Sequence, residues 1–196
     1  LAAPLIKNSG EIIAKQIEIE KVQSLSVEAD RALELMGRAI RMAGYQHVTS
    51  FTQFGKNKTF IKDPIVIQKG LGFRGSDAFT VKYELSGGVD FDCIGNVLSK
   101  DRTKNNLALQ GFLVDRQASA PKGIRVNGGS LICQSLDRHG RLQNTTLMNG
   151  VNHLLIEGLS ANSTASSQRL LRIQIQMTDG KSLQRDVERT FSSRNL

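Results

Sequence analysis

Two cysteines, Cys93 and Cys133, and three scattered histidines, His47, His139 and His153, are the side chains best suited to redox or metal chemistry in this sequence. The cysteines form no CxxC pair, and no histidine stands at ligand spacing from either, so zinc has no framework. Two lone cysteines in a glycine-rich β region fit a single disulfide in an oxidising compartment. Closing a loop of about 40 residues would stabilise a fold by roughly 3–4 kcal/mol on the chain-entropy account. Two buried thiols in a reducing compartment are the other reading, and spacing alone leaves both open.

Asp90 and Asp92 offer two carboxylate oxygens to a cation, but calcium takes six or more, so loop solvation is the better reading. GLGFRG, residues 70–75, looks like a scrap of phosphate loop. A phosphate loop delivers its anion to a helix N-terminus, whereas a strand pattern follows here, so the segment reads as a turn. Ser76 and Asp77 then cap or turn the chain ahead of that strand. Nucleophile elbow, Walker loop, zinc-protease helix and dinucleotide glycine pattern are all absent from the sequence. The expectation is a non-enzymatic chain without cofactor or metal.

The loop SKDRTKNN supplies Lys100, Arg102 and Lys104 as candidate anion contacts, with Arg116, Lys122 and Arg125 beyond it. Contacts of this kind read phosphate without regard to sequence and weaken with salt. The loop has no aromatic residue for base stacking, and a solvated basic loop is the plainer reading. The net charge of +8 suits an acidic partner, phospholipid headgroups or nucleic acid, and equally a basic face that only aids solubility.

These residues need elements to hold them. A content of 39% hydrophobic and 22% charged residues excludes wholesale disorder, and 196 residues suffice for one large domain or two small ones. Val22, Leu25, Ala29, Ala32, Leu33, Met36, Ile40 and Ala43 recur at spacings of three and four, which predicts a one-sided helix. Gly44 follows the last of them as a C-cap glycine would, with Tyr45 leading out of the helix. Asn8 and Glu11 have the spacing of a capping box; alternatively, Ile12, Ile13 and Ile17 continue a helix begun upstream. No proline interrupts Glu11 to Ala43, so the rod would be about 50 Å long. The remaining residues would make a body about 38 Å across. One end of the helix should therefore project, and Glu11 to Lys21, which mixes isoleucines with charges, is the expected part.

After Gly44 the period shifts to two. Phe79, Val81, Tyr83 and Leu85 alternate with polar residues, as do Leu171, Ile173, Ile175 and Met177. Asp179-Gly180 predicts a hairpin turn, with Val187, Arg189 and Phe191 on the returning arm. Shorter strand candidates are 91–98, 107–114, 131–133 and 151–157. Residues 99–106, 116–123 and 160–168 read as loops. The predicted class is α+β: a long amphipathic helix, residues 1–44, packed on an antiparallel β domain, residues 45–196.

The phrase ADRALELMGRAIRMAGYQ resembles the end of the N-terminal helix of PilW-type minor pilins. GSDAFTVKYEL resembles that family's Gly-Ser-Asp strand, DCIGN its Asp-Cys-aliphatic-Gly phrase, and SLICQS its second-cysteine segment. LMNGVNHLLIEG and the terminal RTFSSRNL follow in the family's order. The resemblance implies a type IV pilin-like fold, a Cys93–Cys133 disulfide made in the periplasm, and a place in a complex of minor pilins that primes pilus assembly at the tip. The implied partners are other minor pilins, the major pilin and the inner membrane, the last through an apolar, N-methylated half-helix that would precede Leu1. The implied location is the inner membrane before assembly and the pilus after it. A J-type pseudopilin of type II secretion, or a tip module binding DNA or host surfaces, is the alternative. Residues 46–69 match no family phrase.

Overall fold

The computed structural model describes residues 2–46, 61–103, 106–118, 128–159 and 169–194. Helix α1, Ala2–Met42, is followed by strands β1 Ile65–Gln68, β2 Ala78–Glu84, β3 Asp90–Phe91, β4 Val97–Leu98 and β5 Leu107–Asp115. Then come β6 Gly129–Leu136, β7 Leu142–Leu159, β8 Leu170–Thr178 and β9 Gln184–Ser192. Seven strands form one antiparallel sheet in the order β1-β2-β5-β6-β7-β8-β9, and β3 pairs with β4 apart from it. The α+β class follows directly.

The helix runs through Asn8 and Glu11, so no capping box starts it there. At 41 residues it is about 62 Å long. Its fully buried positions are Ala29, Ala32, Leu33, Met36, Ile40 and Ala43, which share one core cluster with Phe79, Val81, Leu154, Ile156, Ile173 and Ile175 of the sheet. Burying Leu33, Met36 and Ile40 contributes roughly 1.5–3 kcal/mol each. Leu25 is half-buried against that cluster, while Val22 is half-buried outside it.

A stripe of period 3.5 explains where docking stops. Tracing back from Val22 in steps of four and three, the same side of the helix carries Glu18, Lys15 and Glu11. Charges there cannot enter an apolar seam, and every residue from Gly10 to Lys21 is exposed.

Gly37, inside the docked stripe, permits the closest approach: a Cβ there would overlap the Phe191 ring of β9. At the far end Gly44 takes φ 75°, a conformation that suits glycine. Its amide donates to Lys82 O at 2.9 Å, and Glu84 N donates to Tyr45 O at 2.8 Å. The helix exit is thus clipped along β2, beyond the stretch where β1 pairs.

The sheet departs from the expected strand limits in several places. β7 spans 18 residues; its first half, LQNTTLMNG, lacks the apolar alternation that marks Val151 onward. In place of one strand over 91–98, residues 90–98 form two two-residue strands around a turn. β1, IVIQ, is too short to show a period. The Asp179-Gly180 pair opens a longer loop than a two-residue hairpin. The Asp179 carboxylate accepts from Lys181 N at 2.9 Å and Leu183 N at 3.0 Å, so it holds the chain until β9 begins at Gln184. The GLGFRG segment is a turn between β1 and β2 containing the 3-10 stretch Phe73–Gly75.

Candidate interaction surface

The disulfide joins Cys93, in the turn between β3 and β4, to Cys133 in the middle of β6, with Cα atoms 6.2 Å apart. It fastens a segment with little sheet pairing of its own to a central strand. Asp92 shapes that turn: its Oδ1 accepts from Ile94 N at 3.1 Å and Asn96 N at 2.8 Å. Asp90 accepts from the amide and hydroxyl of Ser86 at 2.7 and 3.0 Å. Both carboxylates are engaged in loop hydrogen bonds, and among the described residues no cluster of three or more metal-binding side chains occurs.

Tyr83, under the same loop, receives a hydrogen bond from Gln110 Nε2 at 2.6 Å, and Gln110 also donates to Phe91 O at 3.0 Å. Burial first, and the nearby Asp90 carboxylate second, push the Tyr83 phenol above its ordinary range. It is a buried, hydrogen-bonded phenol in the base of the loop.

The candidate anion contacts separate. Arg102 is only 13% exposed at its side chain and faces inward. It donates to Val97 O at 2.6 Å and Leu136 O at 2.5 Å, and lies 3.4 Å from Asp92. The expectation of Arg102 as an external anion contact is therefore corrected: its charge is spent tying β4, β6 and the Asp92 turn together. Lys100 is exposed. Lys104, Lys122, Arg125 and His47 lie outside the described residues, as does the expected loop 160–168.

Arg102 also lines a shallow polar groove, together with Asn96, Asp137, Arg138, His139, Arg141 and Gln143. Arg141 pairs with Asp137 at 3.2 Å, and Arg102 with Asp92. Most of the groove's positive charge is thus matched by its own carboxylates, a poor basis for long-range attraction of a polyanion.

The strongest interaction feature lies on the projecting helix. Ile12 and Ile19 are each 65% exposed, Ile13 57%, Ile17 48% and Val27 63%. At 100° per residue Val27 and Ile13 lie opposite the docked residues Ala29 and Met36, and the other three isoleucines flank them. The helix therefore has two apolar sides, one buried on the sheet over 29–43 and one free over 12–27. Gln16 and Glu20 hydrogen-bond along the rod at 3.1 Å. Within the head, Asp30 of the helix pairs with Arg189 of β9 at 2.8 Å, fixing the point at which the rod leaves the body.

The second apolar side was not legible as a stripe because its residues spread over a wide arc of the helix that Gln16, Glu20 and Gln23 share. Among the described residues no helix is long and apolar enough to cross a membrane. In comparisons with known proteins, no family model, curated protein or solved structure matches this chain.

Proposed function

We propose that this chain is a non-enzymatic filament subunit, a PilW-like minor pilin that helps prime type IV pilus assembly with other minor pilins. The single observation that carries this reading is the wholly exposed helix segment from Gly10 to Lys21 with its uncovered isoleucines. An aliphatic rod held away from its own head leaves apolar area in water that a neighbouring molecule can cover. A helix that docks at one end and is free at the other makes head-to-tail contacts, and such contacts build open helical polymers. The Cys93–Cys133 disulfide fits assembly in an oxidising periplasm. The ordered sequence phrases described above support the same family.

The test is co-expression with the pilins encoded beside it. The double variant Ile13→Asp, Ile17→Asp should keep the melting temperature of the head and lose co-purification with those pilins. Co-purification that survives the double variant would remove the helix from the interface and the reading with it. Complementation of a deletion strain then separates the pilus role from the J-type pseudopilin role: restored piliation supports the first, and restored secretion alone supports the second.

A further inference from the structure

We infer that the first half of β7 is an open strand edge that pairs with the same edge of a second copy of this chain. The inference is independent of the filament reading, because it rests on the sheet rather than the projecting helix.

The sheet order places β6 on one flank of β7 and β8 on the other. β6 covers only Leu142–Val151, and β8 covers only Val151–Leu159. Among the described residues, each half of β7 therefore has one flank that no strand fills. On the second half the gap is closed. Asp77 N donates to Leu154 O at 2.8 Å, and Leu154 N donates to Ser76 Oγ at 3.2 Å. Ile156 N donates to Asp77 Oδ2 at 2.8 Å, and Lys69 Nζ caps Ile156 O. On the first half, among the described residues, no strand or backbone hydrogen bond closes the corresponding flank.

The backbone groups on that flank can be assigned by alternation. Asp137 N donates to Arg141 O at 2.8 Å across the hairpin, so Arg141, Gln143 and Thr145 direct their N–H and C=O towards β6. Leu142, Asn144 and Thr146 direct theirs away from it. A row of directed donors and acceptors at strand spacing is complementary to one thing, another strand edge.

Composition selects the occupant. LQNTTLMNG, residues 142–150, has no charge and no proline. Edges protected against pairing carry charges or proline. The edge strand β9 follows that rule with Arg185, Asp186, Glu188 and Arg189, and β1 is only four residues long. An uncharged edge can meet itself across a two-fold axis without like charges opposing. Antiparallel pairing centred on Asn144 sets Leu142 against Thr146 of the second copy and Asn144 against its own counterpart, with each pair's backbone groups facing.

The experiment is sedimentation equilibrium of the whole chain over a concentration series, with hydrogen exchange of the Leu142, Asn144 and Thr146 amides. The parent should form a dimer in which these amides are protected, and lose that protection on dilution. Thr146→Pro removes an N–H that β6 does not use, so it should raise the dimer dissociation constant about tenfold or more while the melting temperature holds. Asn144→Lys keeps the backbone and sets two ammonium groups against each other. It should weaken the dimer similarly, and added salt should restore part of the loss. A parent that stays monomeric overturns the proposal. So does protection of the three amides in the monomer, which would mean that the chain fills its own edge, and so does a dimer unaffected by either variant.

Discussion

Asp77 is 3% exposed and collects hydrogen bonds from Lys69 Nζ at 2.8 Å, Gly70 N at 3.0 Å and Ile156 N at 2.8 Å. Burial pushes its carboxyl up, but those donors and the Lys69 charge outweigh burial and hold it below the ordinary carboxylate range. A depressed folded-state pKa favours the ionised form, so the stabilisation is complete above the unfolded value of about 3.9 and is lost as pH falls through the folded one. The melting temperature should therefore drop as pH is lowered below about 4. Asp77→Asn should start lower and fall less steeply in that window. The turn carboxylates shift in the same direction, Asp137 chiefly through the Arg141 amide and Asp179 chiefly through the Lys181 amide. The difference between parent and Asp77→Asn in a series of melts isolates the Asp77 share, and parallel curves would remove it. Sequence reading expected Ser76 and Asp77 to cap or turn the chain before a strand; the turn ends at Gly75, and Ser76 is already extended. Their contact with β7, 77–79 positions downstream, has no local signature.

At the scale of the element, helix α1 divides into a docked half and a free half, and substitution separates them. Leu33→Asp or Ile40→Asp would bury a charge in the helix–sheet seam and should lower stability by several kcal/mol, read as a large fall in melting temperature. Ile17→Asp, on the exposed half, should leave the melt nearly unchanged. Equal behaviour of Leu33→Asp and Ile17→Asp would mean that the face is assigned wrongly. The docked half was readable because a helix presents every third and fourth residue on one side. Gly37 was not readable as a docking residue, since only the placement of Phe191 shows why a side chain is excluded there.

Over the whole molecule, the disulfide and Arg102 tie the β3–β4 segment to β6, from two directions. That segment has only two paired residues on each side, so its place depends on these ties more than on its own ladder. Closing the loop between residues 40 apart contributes roughly 3–4 kcal/mol on the chain-entropy account. Verified reduction of Cys93–Cys133 should lower the melting temperature accordingly. An unchanged melt after reduction would show that packing alone positions the turn.

Local pattern by itself determined the helix from Val22 to Ala43, its stop at Gly44, the alternating strands β2 and β8, and the α+β class. Each is written in a periodicity of 3.6 or 2 that the chain must satisfy to bury one side. Tertiary structure decided the rest. It turned Arg102 inward, because carbonyls of Val97 and Leu136 and the carboxylate of Asp92 converge from three different segments. It split β7 between two neighbours, since the partner of a strand is set by sheet order, which no window of sequence contains. It left the isoleucines of 12–19 in water, because docking ends near Val22, where the side that faces the sheet turns to Glu18, Lys15 and Glu11, and the isoleucines lie away from that side.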